Sequence, residues 1–166
     1  MTATSDSVDV LIIGAGLSGI GGACQLRRHS PQRSFAILES RAASGGTWDL
    51  FRYPGILSDR DMYTLGYGFM PWRNKSAIAE GGLILDYIRE AAREYDVERH
   101  IRYHHAVVSA NWSTDEQRWH VTAQRADTGE SVTISCQFIL SCSGYYDYAA
   151  GYTPEFAGRG DFKGQV

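Results

Sequence analysis

Val8-Asp9-Val10-Leu11-Ile12-Ile13, followed directly by Gly14-Ala15-Gly16-Leu17-Ser18-Gly19, is the stretch that decides the fold. The branched apolar run predicts a buried strand, and the G-x-G-x-x-G string after it predicts a tight turn into a helix. Gly14 suits the turn, Gly16 lets a backbone come close to a pyrophosphate, and Gly19 lets helix pack on strand. The helix predicted over Leu17–His29 opens with unpaired N–H groups and roughly half a positive charge at that turn. Ser18 can donate its hydroxyl or N–H to a phosphate there, or be simply a small residue at a helix start. Strand, turn and helix together predict a bound dinucleotide.

The next strand indicates which part of the ligand is held. After the Ser30-Pro31 stop, Ser34-Phe35-Ala36-Ile37-Leu38 predicts a second strand ending in Glu39, twenty residues past Gly19 (39 minus 19). A carboxylate at that spacing accepts hydrogen bonds from ribose 2′- and 3′-hydroxyls and repels a 2′-phosphate. The site should therefore take the adenosine of FAD or NAD and disfavour NADP. Arg41, two residues on, is placed to lie along the same adenosine.

With 166 residues, 43% of them hydrophobic, the chain can bury one core, so a single domain spanning 1–166 is expected. The net charge of −3, with Lys and Arg scattered, gives no reason to expect nucleic acid or an acidic membrane as partner. Cys24, Cys136 and Cys142 form no C-x-x-C and read as reduced thiols of a cytoplasmic protein. Met1–Ser7 is polar and lacks a basic leader, and no apolar run approaches the roughly 18 residues of a membrane span. The sequence therefore reads as soluble and unprocessed.

Beyond Glu39, residues 41–73 are rich in Gly, Pro and aromatics with little periodicity, a long irregular connection of the kind that usually carries function. Ile84, Tyr87, Ile88, Ala91 and Tyr95 recur at helical spacing over Glu80–Tyr95, with Arg89, Glu90, Arg93 and Glu94 facing out. His100–His104 predicts a short strand. Val107–Trp112, Arg118–Gln124 and Ser131–Ile134 then predict a meander, and Phe138–Ser141 a return strand ending at Ser143-Gly144. The expected fold class is α/β, a Rossmann-like FAD-binding domain of the glutathione-reductase type. It combines a parallel sheet and helices with an antiparallel three-stranded meander. A metal reading of His100, His104 and His105 is rejected, because i, i+4 spacing helps only on a helix and no third ligand converges. The aromatics Tyr63, Tyr67, Phe69, Trp72, Tyr145, Tyr146, Tyr148 and Tyr152 fit a core, and some fit a surface awaiting a covering domain.

Within the long loop stands Gly45-Gly46-Thr47-Trp48-Asp49-Leu50-Phe51-Arg52-Tyr53-Pro54-Gly55-Ile56-Leu57-Ser58-Asp59. This resembles the Baeyer-Villiger flavin monooxygenases, with their pattern G-G-x-W-x-x-x-R-Y-P-G-x-x-x-D. Asp61–Tyr67 and Cys142–Tyr146 look closest to the ethionamide-activating branch. The resemblance implies that Gly46 passes close to the flavin, since a side chain there would collide with it, and that Trp48 packs along the isoalloxazine edge. Arg52 and Tyr53 precede a Pro-Gly turn that holds the flavin face in one shape. Leu17, Ser40, Arg41, Thr47 and Asp49 join the cofactor contacts on the same ground. The backbone of Val107 is implied to meet the adenine, and Ser143-Gly144 to end near the pyrophosphate, although Val107 reads equally well as a core strand residue. Asp59 is the implied catalytic residue, lying beside the flavin and pairing with an arginine from later in the chain; it can also cap a helix near Arg60–Leu65.

The resemblance implies an enzyme using FAD, NADPH and O2 to insert oxygen beside a ketone carbonyl, giving esters or lactones, or onto sulfur. Phe162-Lys163-Gly164 matches only the start of a family signature, so the sequence reads as an N-terminal fragment whose main NADPH site lies elsewhere. Alone it is expected to bind FAD without turnover and, through exposed aromatics, to self-associate. Two alternatives stay open: a non-catalytic truncated flavin-binding module, and an NAD-dependent dehydrogenase.

Overall fold

A computed structural model describes residues 6–165, so the tail Met1–Ser7 lies outside the described residues as far as Ser5. Among the described residues six strands form one mixed sheet, in the spatial order β3 (Ile101–Arg102), β2 (Phe35–Leu38), β1 (Asp6–Ile13), β6 (Ser131–Ser141), β5 (Arg118–Arg125) and β4 (His105–Ser113). β1 (Asp6–Ile13) runs parallel to β2 (Phe35–Leu38) and to β6 (Ser131–Ser141), and β2 runs parallel to the two-residue β3 (Ile101–Arg102). β4 (His105–Ser113), β5 (Arg118–Arg125) and β6 pair antiparallel in sequence.

Parallel strands need cover on both faces. One face carries α1 (Leu17–His29) and α4 (Gly81–Glu94), whose Ile20, Cys24, Ile84, Ile88 and Ala91 share a core with Ile12 and Ile37. On the opposite face, Leu11, Ala36 and Leu38 share a core with Val121, Ala123 and Ile134, so the meander supplies the second cover. Helices α1 and α4 approach closely enough for the Cys24 thiol to donate to the Ala91 carbonyl at 3.7 Å. Burial pushes that thiol up to about 12, which keeps it protonated and unreactive. Tyr67 stacks on Phe69 at 4.9 Å and donates from its hydroxyl to the Leu17 carbonyl at 2.7 Å, tying this aromatic cluster to the start of α1.

Three local expectations are corrected. The predicted third meander strand and the return strand are one element, β6. Its polar middle, Ser135-Cys136-Gln137, pairs with β5 as far as Cys136 and with β1 up to Ser141. Ile134, Ser135 and Cys136 are all buried, and breaking the strand there would orphan backbone groups away from water. The irregular connection contains two single turns, α2 (Thr47–Leu50) and α3 (Met62–Leu65), and Asp61 rather than Asp59 caps α3, accepting from the Thr64 N–H at 3.0 Å. The strand expected over His100–His104 shrinks to Ile101–Arg102, because His100 ends a 3₁₀ turn and His104 adopts a φ of 62°.

His100 stacks on Phe35 at 4.3 Å, and its Nε2 is buried without a hydrogen-bond partner among the described residues. Burial, then the charges of Arg99 and Arg27, hold its pKa below the ordinary imidazole value. The folded pKa thus lies below the unfolded one, so this stability is fully present above about pH 6.5 and is lost as pH falls through that value towards the folded pKa. Thermal melts should fall between pH 7 and pH 5.5. His100→Phe, which keeps a ring on Phe35, should flatten that decline; an unchanged slope would assign it elsewhere.

Candidate dinucleotide-binding site

Three chain segments converge at the carboxyl ends of the parallel strands, where open α/β sheets bind ligands. The Gly14 N–H donates to the Leu38 carbonyl at 2.8 Å, the Cys142 N–H to the Ile13 carbonyl at 2.8 Å, and the Gly45 N–H to the Ala15 carbonyl at 2.9 Å. The turn at Gly14–Gly19 is thereby flanked by Gly45–Thr47 on one side and by Cys142–Gly144 on the other. Gly19 cannot be replaced cheaply, since a Cβ there would stand 1.9 Å from the Gly14 carbonyl oxygen. Gly46 has φ +56°, and a Cβ on it would stand 3.0 Å from the Gly16 Cα, so the two glycine turns meet backbone to backbone. The N-cap of α1 is Gly16, without a side-chain cap, and the first turn holds no acid. The N–H groups at Leu17, Ser18 and Gly19 are therefore left for another acceptor.

Glu39 is 6% exposed and points its carboxylate into this junction. Its Oε2 accepts from the Ala15 N–H at 2.9 Å; its Oε1 accepts from the Arg41 N–H at 2.9 Å and from the Ser40 hydroxyl at 3.4 Å. The backbone holds it equally firmly, with the Glu39 N–H donating to the Arg102 carbonyl and the His105 N–H to the Glu39 carbonyl at 2.8 Å. Val107, two residues beyond His105, is half-buried and opposite Ala123 in the meander.

The second loop is organised by a carboxylate. Asp49, 4% exposed, accepts from Arg41, from Arg52 at 2.9 Å and from Arg89 at 2.8 Å. Arg41 also donates to the Gly46 carbonyl at 3.0 Å, Arg52 to the Asp49 carbonyl at 2.8 Å, and Arg89 to the Ser44 carbonyl at 3.1 Å. Helical spacing puts Arg89 on the outer face of α4, yet its guanidinium turns inward to Asp49, because the buried carboxylate needs compensating charge. No local pattern links residues 49 and 89, so sequence reasoning missed this partner.

Trp48 is half-buried against the main core. The Thr47 hydroxyl lies 2.8 Å from that of Tyr148, and Phe51 meets Tyr148 edge-on at 5.7 Å. Ser18, Ser40, Ser143 and Gly144 are exposed around the junction, and Tyr53 and Asp59 are exposed on the outer loop. Asp59 makes no ion pair among the described residues. The Tyr146 hydroxyl is held above its ordinary range first by its hydrogen bond with Tyr145 and the Tyr145 charge, then by burial, and after these by the charge of Asp59. Among the described residues no three metal-ligating side chains gather.

An uncapped helix start, a glycine turn and a buried acid at the end of the second strand define a Rossmann-like nucleotide-binding domain. The family model described as NAD(P)-binding Rossmann-like domain matches residues 12–74. The chain's close homologues are FAD-containing monooxygenases. It is 52% identical over 162 residues to the FAD-containing monooxygenase EthA of Mycobacterium tuberculosis (strain ATCC 25618 / H37Rv), which covers 98% of this chain and 33% of that protein. Among solved structures, an oxidized steroid monooxygenase bound to NADP superposes with a TM-score of 0.75 at 28% identity, over 93% of this chain and 29% of its own. OTEMO in complex with FAD and NADP gives a TM-score of 0.73 at 32% identity, over 98% of this chain and 30% of its own. The chain spans about a third of the length of the curated relatives it matches.

Proposed function

We propose that residues 1–166 form the FAD-binding domain of a flavin monooxygenase that uses NADPH and O2 to convert ketones to esters or lactones and to oxidise sulfur compounds. The observation that carries this reading is the buried Glu39 carboxylate fastened to the glycine turn at the uncapped start of α1. These residues fit FAD. The N–H groups at Leu17, Ser18 and Gly19 would hold the pyrophosphate, Glu39 the ribose, and the side-chain-free backbone at Gly16 and Gly46 leaves room for close approach. FAD, when bound, supplies the redox chemistry between NADPH and O2. The chain contributes binding and orientation, while Asp59, exposed on the outer loop, is available to position an arginine from outside the described residues. Relatives named FAD-containing monooxygenases support the assignment.

Cys24, Cys136 and Cys142 are unpaired, which supports a reducing compartment, the cytoplasm. No helix among the described residues is long and apolar enough to cross a membrane. Exposed Tyr145, Tyr152, Phe156 and Phe162 support self-association of the isolated chain.

Purified chain mixed with FAD and desalted should keep the flavin absorbance, consume no NADPH in response to a ketone, and elute from gel filtration ahead of a monomer. A folded but colourless protein would refute the FAD assignment. Retention of NAD in its place would establish the dehydrogenase alternative.

A further inference from the structure

Three arginines share the one Asp49 carboxylate, leaving the cluster a surplus of two positive charges (three minus one), against which the buried Glu39 carboxylate at the glycine turn sets one negative charge. They come from three places in the chain: Arg41 follows β2, Arg52 follows α2, and Arg89 lies on α4. Guanidinium groups repel one another, and nothing in their separate backbones would bring them together. The buried carboxylate does so, and each arginine is also anchored on a backbone carbonyl, Arg41 on Gly46, Arg52 on Asp49 and Arg89 on Ser44. Gly46 in turn sits against Gly16, so the cluster lies directly behind the turn that opens α1.

We infer that Asp49 is a positioning residue that gathers Arg41, Arg52 and Arg89 into a cationic cluster behind the glycine turns, and that this cluster draws in the phosphates of the dinucleotide. The inference rests on the FAD-binding reading. It assigns Asp49 a role different from direct contact with the cofactor. The carboxylate accepts from three arginines, while the surplus charge attracts an anion through a field that salt screens over a Debye length of about 10 Å at 0.1 M.

The test turns on sign. If only total charge mattered, Asp49→Asn would add one positive charge to the neighbourhood and tighten FAD binding. If Asp49 positions the cluster, the same substitution releases the arginines towards solvent and weakens binding. FAD titrations of the whole chain, followed by flavin fluorescence at about 50 mM and about 300 mM salt, bracket the range where such fields are screened. Asp49→Asn should bind about tenfold more weakly at the lower salt, with a smaller salt dependence than wild type. Equal or tighter binding by an Asp49→Asn protein with native circular dichroism would overturn the inference. Should that variant lose its native spectrum, Arg52→Gln decides, because the Arg52 side chain is 72% exposed and its removal leaves the core intact. Arg52→Gln should weaken FAD binding at low salt and flatten the salt dependence; wild-type behaviour in both would sink the inference. A wild-type chain that binds no FAD at all would strike the domain reading and, with it, the ligand assigned to the cluster.

Discussion

Gly19→Ala should abolish retention of FAD and lower the stability of the chain by about 3 kcal/mol, a fall in melting temperature of roughly 6–12 °C for a domain of this size. The added Cβ would stand 1.9 Å from the Gly14 carbonyl oxygen and 3.0 Å from its carbon. Both are backbone atoms of the turn, so the clash cannot be relieved by rotating a side chain. The helix start must move away from β1, which misaligns the N–H groups offered to the phosphates. Gly22→Ala provides the contrast. Its Cβ would meet the Leu140 Cδ2 at 2.6 Å, the far end of a flexible side chain, and alanine is favoured over glycine in a helix by up to ~1 kcal/mol. Gly22→Ala should keep its flavin and melt near the wild-type temperature. A Gly19→Ala protein that held FAD and melted normally would show that the turn tolerates more movement than its packing implies.

Glu39→Ala should weaken FAD binding about a hundredfold, roughly 2.8 kcal/mol, when measured by fluorescence titration. The loss has two sources with different signatures. The carboxylate would no longer accept from the ribose hydroxyls, and the Ala15 and Arg41 N–H groups that it now satisfies at 2.9 Å would lose their acceptor. Ala15 is fully buried, so its orphaned donor costs about 1–3 kcal/mol of stability whether or not a ligand is present. A fall in stability with FAD affinity unchanged would therefore make Glu39 a tie between β2 and the glycine turn and nothing more. Glu39→Gln should fall between the two, because its amide oxygen replaces one acceptor while its NH2 group cannot serve the second donor.

Both predictions concern residues legible from the chain alone. Gly19 and Glu39 belong to a pattern whose spacing follows from strand-turn-helix-strand geometry, so each can be placed without knowing the remainder of the fold. The amphipathic stripe of α4 was readable for the same reason: Ile84, Tyr87, Ile88 and Ala91 repeat at a period that puts them on one face, and all four are buried. Local composition misled where the environment overrode it. Ser135-Cys136-Gln137 looks like a break between strands, yet pairing on both sides carries β6 through it. The cap expected at Asp59 falls two residues later, because the single turn begins at Met62 and Asp61 stands immediately before it.

The sequence by itself determined the β1-α1-β2 unit, the helix at α4, the meander and the Gly14–Gly19 and Glu39 half of the site. Steric and periodic requirements of that kind act between residues close along the chain. The tertiary structure alone decided the continuity of β6, the meander's role as cover for the second face of the sheet, and the gathering of Arg41, Arg52 and Arg89 on Asp49. These depend on burial and on charge compensation between segments as far apart as residues 49 and 89, and such partners meet only when packing brings them together.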